Sequence, residues 1–151
     1  MKNIFLLIIV ASLLYNCNVE EKSHYYTTAI RNTSDEPFHI LVLGDTLNRN
    51  QPVYDTLINT TLQAGQSTKK HNYSFSSFMG LNPKYYIYYA KIKFENDRGY
   101  ICDNDPFNMS LCFLSKSSFI VSMQESDFTF ENGIYYYDIT QGDYENAHNL
   151  E

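Results

Sequence analysis

From residue 25 to residue 139 the chain is a succession of short apolar runs separated by polar turn clusters. The clearest run is Tyr85–Phe94. Tyr86, Tyr88, Ala90, Ile92 and Phe94 share one face, and Tyr85, Ile87, Tyr89, Lys91 and Lys93 share the other, which is the period-two signature of a strand. The two lysines bring their end of the second face into water. Residues 25–32 alternate in part, with Tyr26, Thr28 and Ile30 on one face. Residues 38–43 are nearly continuously apolar, as a buried strand is, and only His39 interrupts them. A histidine in such a run reads as a hydrogen-bonded sheet residue, not as a ligand. Further strands are predicted over residues 53–62, with a break at Asp55, over a weaker stretch 68–73, and over 100–102. Residues 117–124 follow, with Phe119, Val121 and Met123 on one face, and then 128–130 and 134–139.

The breaks between runs carry turn chemistry. Residues 33–37 end in Pro37, which pushes Glu36 toward extended geometry. Gly65 in 64–67 suits a positive φ. Residues 95–99 read as a hairpin loop with Gly99 at its end, and Asn132-Gly133 is a strong hairpin signal. Residues 44–52 form a loop. Residues 74–84 form another, whose apolar content places it on the core. Thr140 and Asp143 have the spacing of an N-terminal cap, so a short helical turn closes the chain. Short strands at near-regular spacing with no long helix and no β-α alternation predict an all-β fold. The expectation is a single immunoglobulin-like β-sandwich of about 7–9 short antiparallel strands.

The first 24 residues follow a different pattern. Lys2 precedes an apolar run of 11 residues, 4–14, too short to span a bilayer, which takes about 20 residues in a helix. These are signal-peptide proportions. No small-residue cleavage site follows, but Leu14 stands three residues before Cys17. This arrangement resembles the lipobox of a bacterial lipoprotein precursor. Tyr15 and Asn16 depart from its strict form and suit the looser Bacteroidetes type. The resemblance implies that residues 1–16 are removed. Cys17 then carries a diacylglycerol and a further acyl chain, enough for stable anchoring. Residues 17–24 would be the lipidated cysteine and a polar tether, and residues 25–151 the folded domain. Glu20-Glu21 is similar to an acidic signal that sends some such lipoproteins to the cell surface, and reads equally as a solvated tether. An outer-membrane location, exposed at the surface if that signal is real, is therefore expected. Ile30-Arg31-Asn32-Thr33-Ser34, Leu62-Gln63-Ala64-Gly65-Gln66-Ser67, Tyr136-Tyr137-Asp138-Ile139-Thr140 and Asp143-Tyr144-Glu145-Asn146-Ala147 extend the likeness. Together they resemble small Bacteroidetes lipoproteins of unknown function.

Composition sharpens this picture in three ways. The net charge of −6, more negative still without Lys2, argues against nucleic acid and against electrostatic adhesion to anionic lipid. The chain has 14 Tyr and 10 Phe but no Trp, and aromatic enrichment favours strands. Besides Cys17 there are two cysteines, Cys102 and Cys112. Outside the cytoplasm they read as a disulfide. The alternative is a pair of buried reduced thiols.

Candidate chemistry is sparse. The glycines are too dispersed for a phosphate-binding loop, none of the four His is followed by Glu, and no G-x-S-x-G occurs. Asp103-Asn104-Asp105 begins like a calcium loop, but Phe107 takes the next ligand position and no distal Glu fits. No metal, cofactor or catalytic residue is assigned, and no enzyme activity is expected. The tyrosine clusters suggest a row of exposed rings, Tyr85, Tyr89, Tyr135 and Tyr137, able to grip a protein or a glycan. The competing reading is ordinary cross-strand pairing, and the lack of Trp disfavours a glycan module. Asp45-Thr46-Leu47 and Asp55-Thr56-Leu57 resemble a Bacteroidetes O-glycosylation sequon, which would modify Thr46 and Thr56. The expected function is a lipid-anchored, non-catalytic binding or interaction module, its membrane partner held through Cys17. The alternatives are a structural or immunity-type inhibitor protein of the envelope, and a small hydrolase.

Overall fold

The computed structural model describes residues 22–46, 54–103 and 111–150. The apolar run 4–14, Cys17, Glu20-Glu21 and residues 104–110 lie outside the described residues, and with them most of the calcium-loop candidate. The described chain forms β1 (His24–Thr33), β2 (Phe38–Thr46), β3 (Tyr54–Leu62), β4 (His71–Phe75), β5 (Tyr85–Phe94) and β6 (Arg98–Asp103). Residues 111–128 follow with a 3-10 turn at Glu125–Asp127, and then come β7 (Thr129–Glu131), β8 (Ile134–Thr140), the five-residue helix α1 (Gln141–Glu145) and β9 (His148–Asn149). The strands make two sheets, ordered β4-β1-β8-β7 and β3-β2-β5-β6-β9. The fold is the expected all-β sandwich. Among the described residues no helix is long and apolar enough to cross a membrane.

The alternating positions fill the space between the sheets. Ile30 from β1, Phe38, Ile40 and Val42 from β2, Ile92 and Phe94 from β5, and Tyr137 and Ile139 from β8 are all at most 1% exposed. Burying an aliphatic or aromatic side chain of this size contributes about 1.5–3 kcal/mol, so these rows stabilise the pairing of the two sheets. Among the buried polar residues, Asn32 and Thr68 share the interior because their hydrogen bonds are met there. Asn32 donates to the carbonyls of Glu36 and Leu62 at 2.9 and 3.1 Å and accepts from the backbone and hydroxyl of Ser34. It thus closes the β1–β2 turn against the end of β3. The Thr68 hydroxyl accepts from the Ile30 backbone N–H at 3.1 Å, while the Thr68 N–H donates to the Ile30 carbonyl at 2.9 Å.

Several features depart from the sequence expectation. The strands are not all antiparallel: β1 and β8 pair in parallel, from Thr28 opposite Tyr135 to Thr33 opposite Thr140. Alternation reports which face is buried but not strand direction, and the long connection between β1 and β8 imposes no hairpin. The period-two reading of β5 also fails at one point. Leu43 faces Tyr89 and Gly44 faces Ile87, so Tyr88 is an extra residue on β5. Such a bulge exchanges the faces beyond it, and Ile87 is buried together with Ala90, Ile92 and Phe94. Gly99 belongs to β6 rather than to the hairpin loop, where Asp97 takes the positive φ of 61°.

Residues 117–124 are not a strand. The Ser118 carbonyl accepts from the backbone N–H of Val121 at 3.0 Å and of Ser122 at 2.9 Å, which coils the segment into a turn. Serine-rich sequence offers the backbone such local alternatives to a ladder. Elsewhere the local signals hold. Asn132 and Gly133 have φ of 50° and 79°, the paired positive values of the hairpin turn that follows β7. Thr140 and Asp143 form a reciprocal capping box at the start of α1.

Candidate functional site

Strand directions define the two ends of the sandwich. A four-residue turn takes β1 into β2, so β2 starts where β1 finishes. The antiparallel β5 therefore starts near the beginning of β1, and β8, parallel to β1, starts there too. The segment from Phe75 to Tyr85 lies at this end, and side chains of β1 and β4 hold it. The Tyr73 hydroxyl donates to the Gly80 carbonyl at 2.9 Å and accepts from the Met79 N–H at 3.1 Å. Burial pushes the Tyr73 phenol up to about 12, the Met79 N–H opposing the shift. Thr28 donates to the Leu81 carbonyl. Phe78 and Leu81 are buried beneath, and Phe78 packs edge-on against Phe128 with ring centres 4.9 Å apart.

The coiled segment of residues 118–122 docks against Gly80. A side chain at Gly80 would place its Cβ 2.3 Å from the Ser122 carbonyl oxygen, and the residue has a φ of 74°. Between the two segments and the start of β5 lies a groove of about 320 Å³, lined chiefly by Met79, Tyr85, Tyr86, Ile120, Val121 and Met123. Phe119 anchors the wall at 2% exposure, while Val121 and Met123 stand 51% and 60% exposed at its rim. The groove is apolar. Asn82 is its main polar side chain, and the amide of Asn82 lies 3.3 Å from His71 Nδ1. Burial, with help from Lys69, lowers the His71 pKa.

Two charged clusters lie elsewhere, and both are occupied by the fold. Arg31 makes two hydrogen bonds to Asp138, at 2.7 and 3.1 Å, pairs with Glu131 and covers the ring of Tyr136. The parallel register sets Arg31 directly opposite Asp138. Lys116 donates to Asp143 at 2.6 Å and to the Asp138 carbonyl at 2.7 Å, with its ammonium over the rings of Phe113 and Tyr137. Burial pulls the Lys116 pKa down and Asp143 opposes it. The same Asp143 carboxylate caps α1. Each cluster joins strands or secures a helix, and Lys116 also borders a cavity of about 250 Å³ with Asp103, Ser117 and Ser118 beside the disulfide. Among the described residues no group of three or more His, Cys, Asp and Glu could hold a metal ion.

The predicted site residues separate. Tyr137 is a correction: at 1% exposure it is buried, its hydroxyl donating to the Ser117 carbonyl at 2.7 Å, and so cannot belong to a surface row. Tyr135 is half-buried on the same side of β8, packed against Phe78 and Phe130 with ring centres 4.9 and 4.7 Å away. The bulge at Tyr88 divides the remaining pair. Tyr85 turns with Ile87 toward the groove, and Tyr89 stays half-buried on the outer side of the sheet, paired with Asp103 across β5–β6. The four rings therefore form no single platform. Thr46 is the last residue of β2 and Thr56 the third of β3, both near the end of their strand; Thr56 is exposed and pairs with Leu43. Cys102 and Cys112 are disulfide-bonded, with Cα atoms 4.7 Å apart. His39, as expected, is a hydrogen-bonded sheet residue, its Nε2 2.8 Å from Asn59 Oδ1. The residues that build the groove rim, Tyr86, Val121 and Met123, were not singled out by sequence. The available signal was serine on both sides of Phe119 and Val121, which favours a coil over a ladder. Comparison with protein families, with characterised proteins and with solved structures finds no match.

Proposed function

We propose that this chain is an exported, lipid-anchored interaction protein of the bacterial cell envelope, acting through a contact surface and not through a catalytic centre. The observation that carries this reading is the uneven distribution of exposed apolar side chains. Of the seven large apolar side chains that stand exposed among the described residues, five, Tyr25, Phe75, Tyr86, Val121 and Met123, belong to the end where β1 begins; Leu114, beside the disulfide, and Phe130, on edge strand β7, are the other two. The opposite end, formed by the turns after β1, β3 and β5 and by α1, exposes Asp35, Gln63, Gln66, Glu95, Asn96 and Glu145. Such a concentration of large apolar side chains left in water at one end marks a surface made to be covered. The apolar run 4–14 followed by Cys17 supports export and anchoring, and the Cys102–Cys112 bond suits an oxidising compartment. Expression in a Bacteroidetes host fed an alkyne fatty acid tests the anchor. Labelled protein is expected in the membrane pellet, and Cys17→Ser is expected to lose the label and leave the pellet. A variant that keeps both would sink the reading.

A further inference from the structure

We propose that the apolar end of the sandwich seats directly on the bilayer that holds Cys17, with Val121 and Met123 entering the interfacial layer. This inference rests on the anchoring of Cys17 and names the partner of the contact surface. The first argument is reach. Cys17 lies five positions before Lys22, and five residues span at most about 18 Å. β1 begins at His24, at the apolar end, and runs 10 residues away from it. At about 3.3 Å per residue, the polar end is roughly 30 Å farther from the anchor. The tether therefore holds the apolar end close to lipid and the polar end away from it.

The second argument is the chemistry of the end itself. It presents aliphatic, thioether and tyrosine side chains, the last of which settle readily at the headgroup level. Val121 and Met123 project from a turn whose other side is fixed by buried Phe119 and by the close approach of Ser122 to Gly80. The wedge is thus shallow and rigid. Charge does not compete with this assignment or drive it. Lys22 and Lys84 share the end with Asp45, Asp55 and Glu125, so attraction to anionic headgroups is weak and seating depends on apolar burial. A protein partner would need the same apolar rim, but the covalent tether already supplies a bilayer within reach.

The chain has no tryptophan, so a single introduced one reports without background. Val121→Trp and Gln63→Trp, at opposite ends, are to be purified as lipidated full chains, their acylation checked by mass. They are then placed in neutral phosphatidylcholine vesicles with or without dibrominated chains. Val121→Trp is expected to emit at shorter wavelength and to lose most of its emission to the brominated lipid, unchanged by high salt, while Gln63→Trp keeps its emission. Met123→Trp repeats the measurement at a second exposed position. Acylated protein whose Val121→Trp and Met123→Trp emission escapes quenching overturns the seating and leaves the anchor standing. A blue shift that appears only when envelope protein is added assigns the end to a protein partner and overturns it too. Absence of acyl mass removes the anchor, and the seating with it.

Discussion

His71 lies half-buried in β4 with the Asn82 amide beside its Nδ1. An amide nitrogen can only donate, so that contact asks the ring nitrogen to accept, and a protonated imidazole cannot. Burial acts in the same direction and holds the His71 pKa below its ordinary 6.5. The sign follows from linkage. Between the lowered value and 6.5 the unfolded chain binds a proton that the folded chain refuses, so stability declines as pH falls through 6.5 and below. Thermal unfolding at a series of pH values should show a smaller loss between neutral and mildly acidic pH for His71→Gln than for the natural chain. Equal losses would take His71 out of the account. Tyr137 makes a different point at the same scale. Period two identified its partners on β8 correctly, and put Tyr135 and Tyr137 on one side. Which side faces the core depends on Phe113, Phe119 and Phe128, whose rings surround Tyr137 at 5.1–6.0 Å and come from outside the strand. A strand's own alternation contains no information about those neighbours.

At the scale of elements, the sequence was most legible where the structure is local. The Asn132-Gly133 hairpin, the Thr140–Asp143 capping box and β5 from Tyr85 to Phe94 are each specified by adjacent residues, and each is present. The disulfide was legible from the cysteine count together with the expectation of export. The misread elements are those fixed by distant partners. Thr68 bonds to Ile30 and displaces β4 to His71–Phe75, and the bulge at Tyr88 exists only in register with β2. The groove wall is of this kind. Its position depends on one glycine, since Gly80 combines a positive φ with the approach of the Ser122 carbonyl. Gly80→Ala should cost about 1–3 kcal/mol in chemical denaturation, through backbone strain and a displaced 118–122 turn. It should also raise hydrogen exchange at Val121 and Ser122 more than in β2 or β5. Protection lost evenly across the sandwich would mean that the turn is not an independent wall.

For the whole molecule, the Cys102–Cys112 bond joins sheet and irregular segment. It holds Phe113 flat against Tyr100, ring centres 4.2 Å apart, and directs the chain toward Lys116 and the groove wall. Replacing both cysteines by serine should remove about 2–3 kcal/mol, the loop-closure value for a ring of this size. That corresponds to a fall in Tm of roughly 10 °C for a domain of this length. Differential scanning calorimetry of the double variant checks this, and an unchanged Tm would show that packing alone secures the segment.

The parallel pairing of β1 with β8 has a consequence in time. A chain is synthesised from its amino end, so β1 is exposed early while its partner on one side is still more than a hundred residues behind. Until Ile134–Thr140 arrives, one edge of β1 can pair with β4 while the other, along Thr28–Thr33, lacks its native partner and is open to any other strand. Contacts this distant in sequence form slowly, and an unpaired apolar edge in the meantime invites aggregation. The sandwich therefore closes last at β8, and its folding is a race between completion of the chain and mispairing.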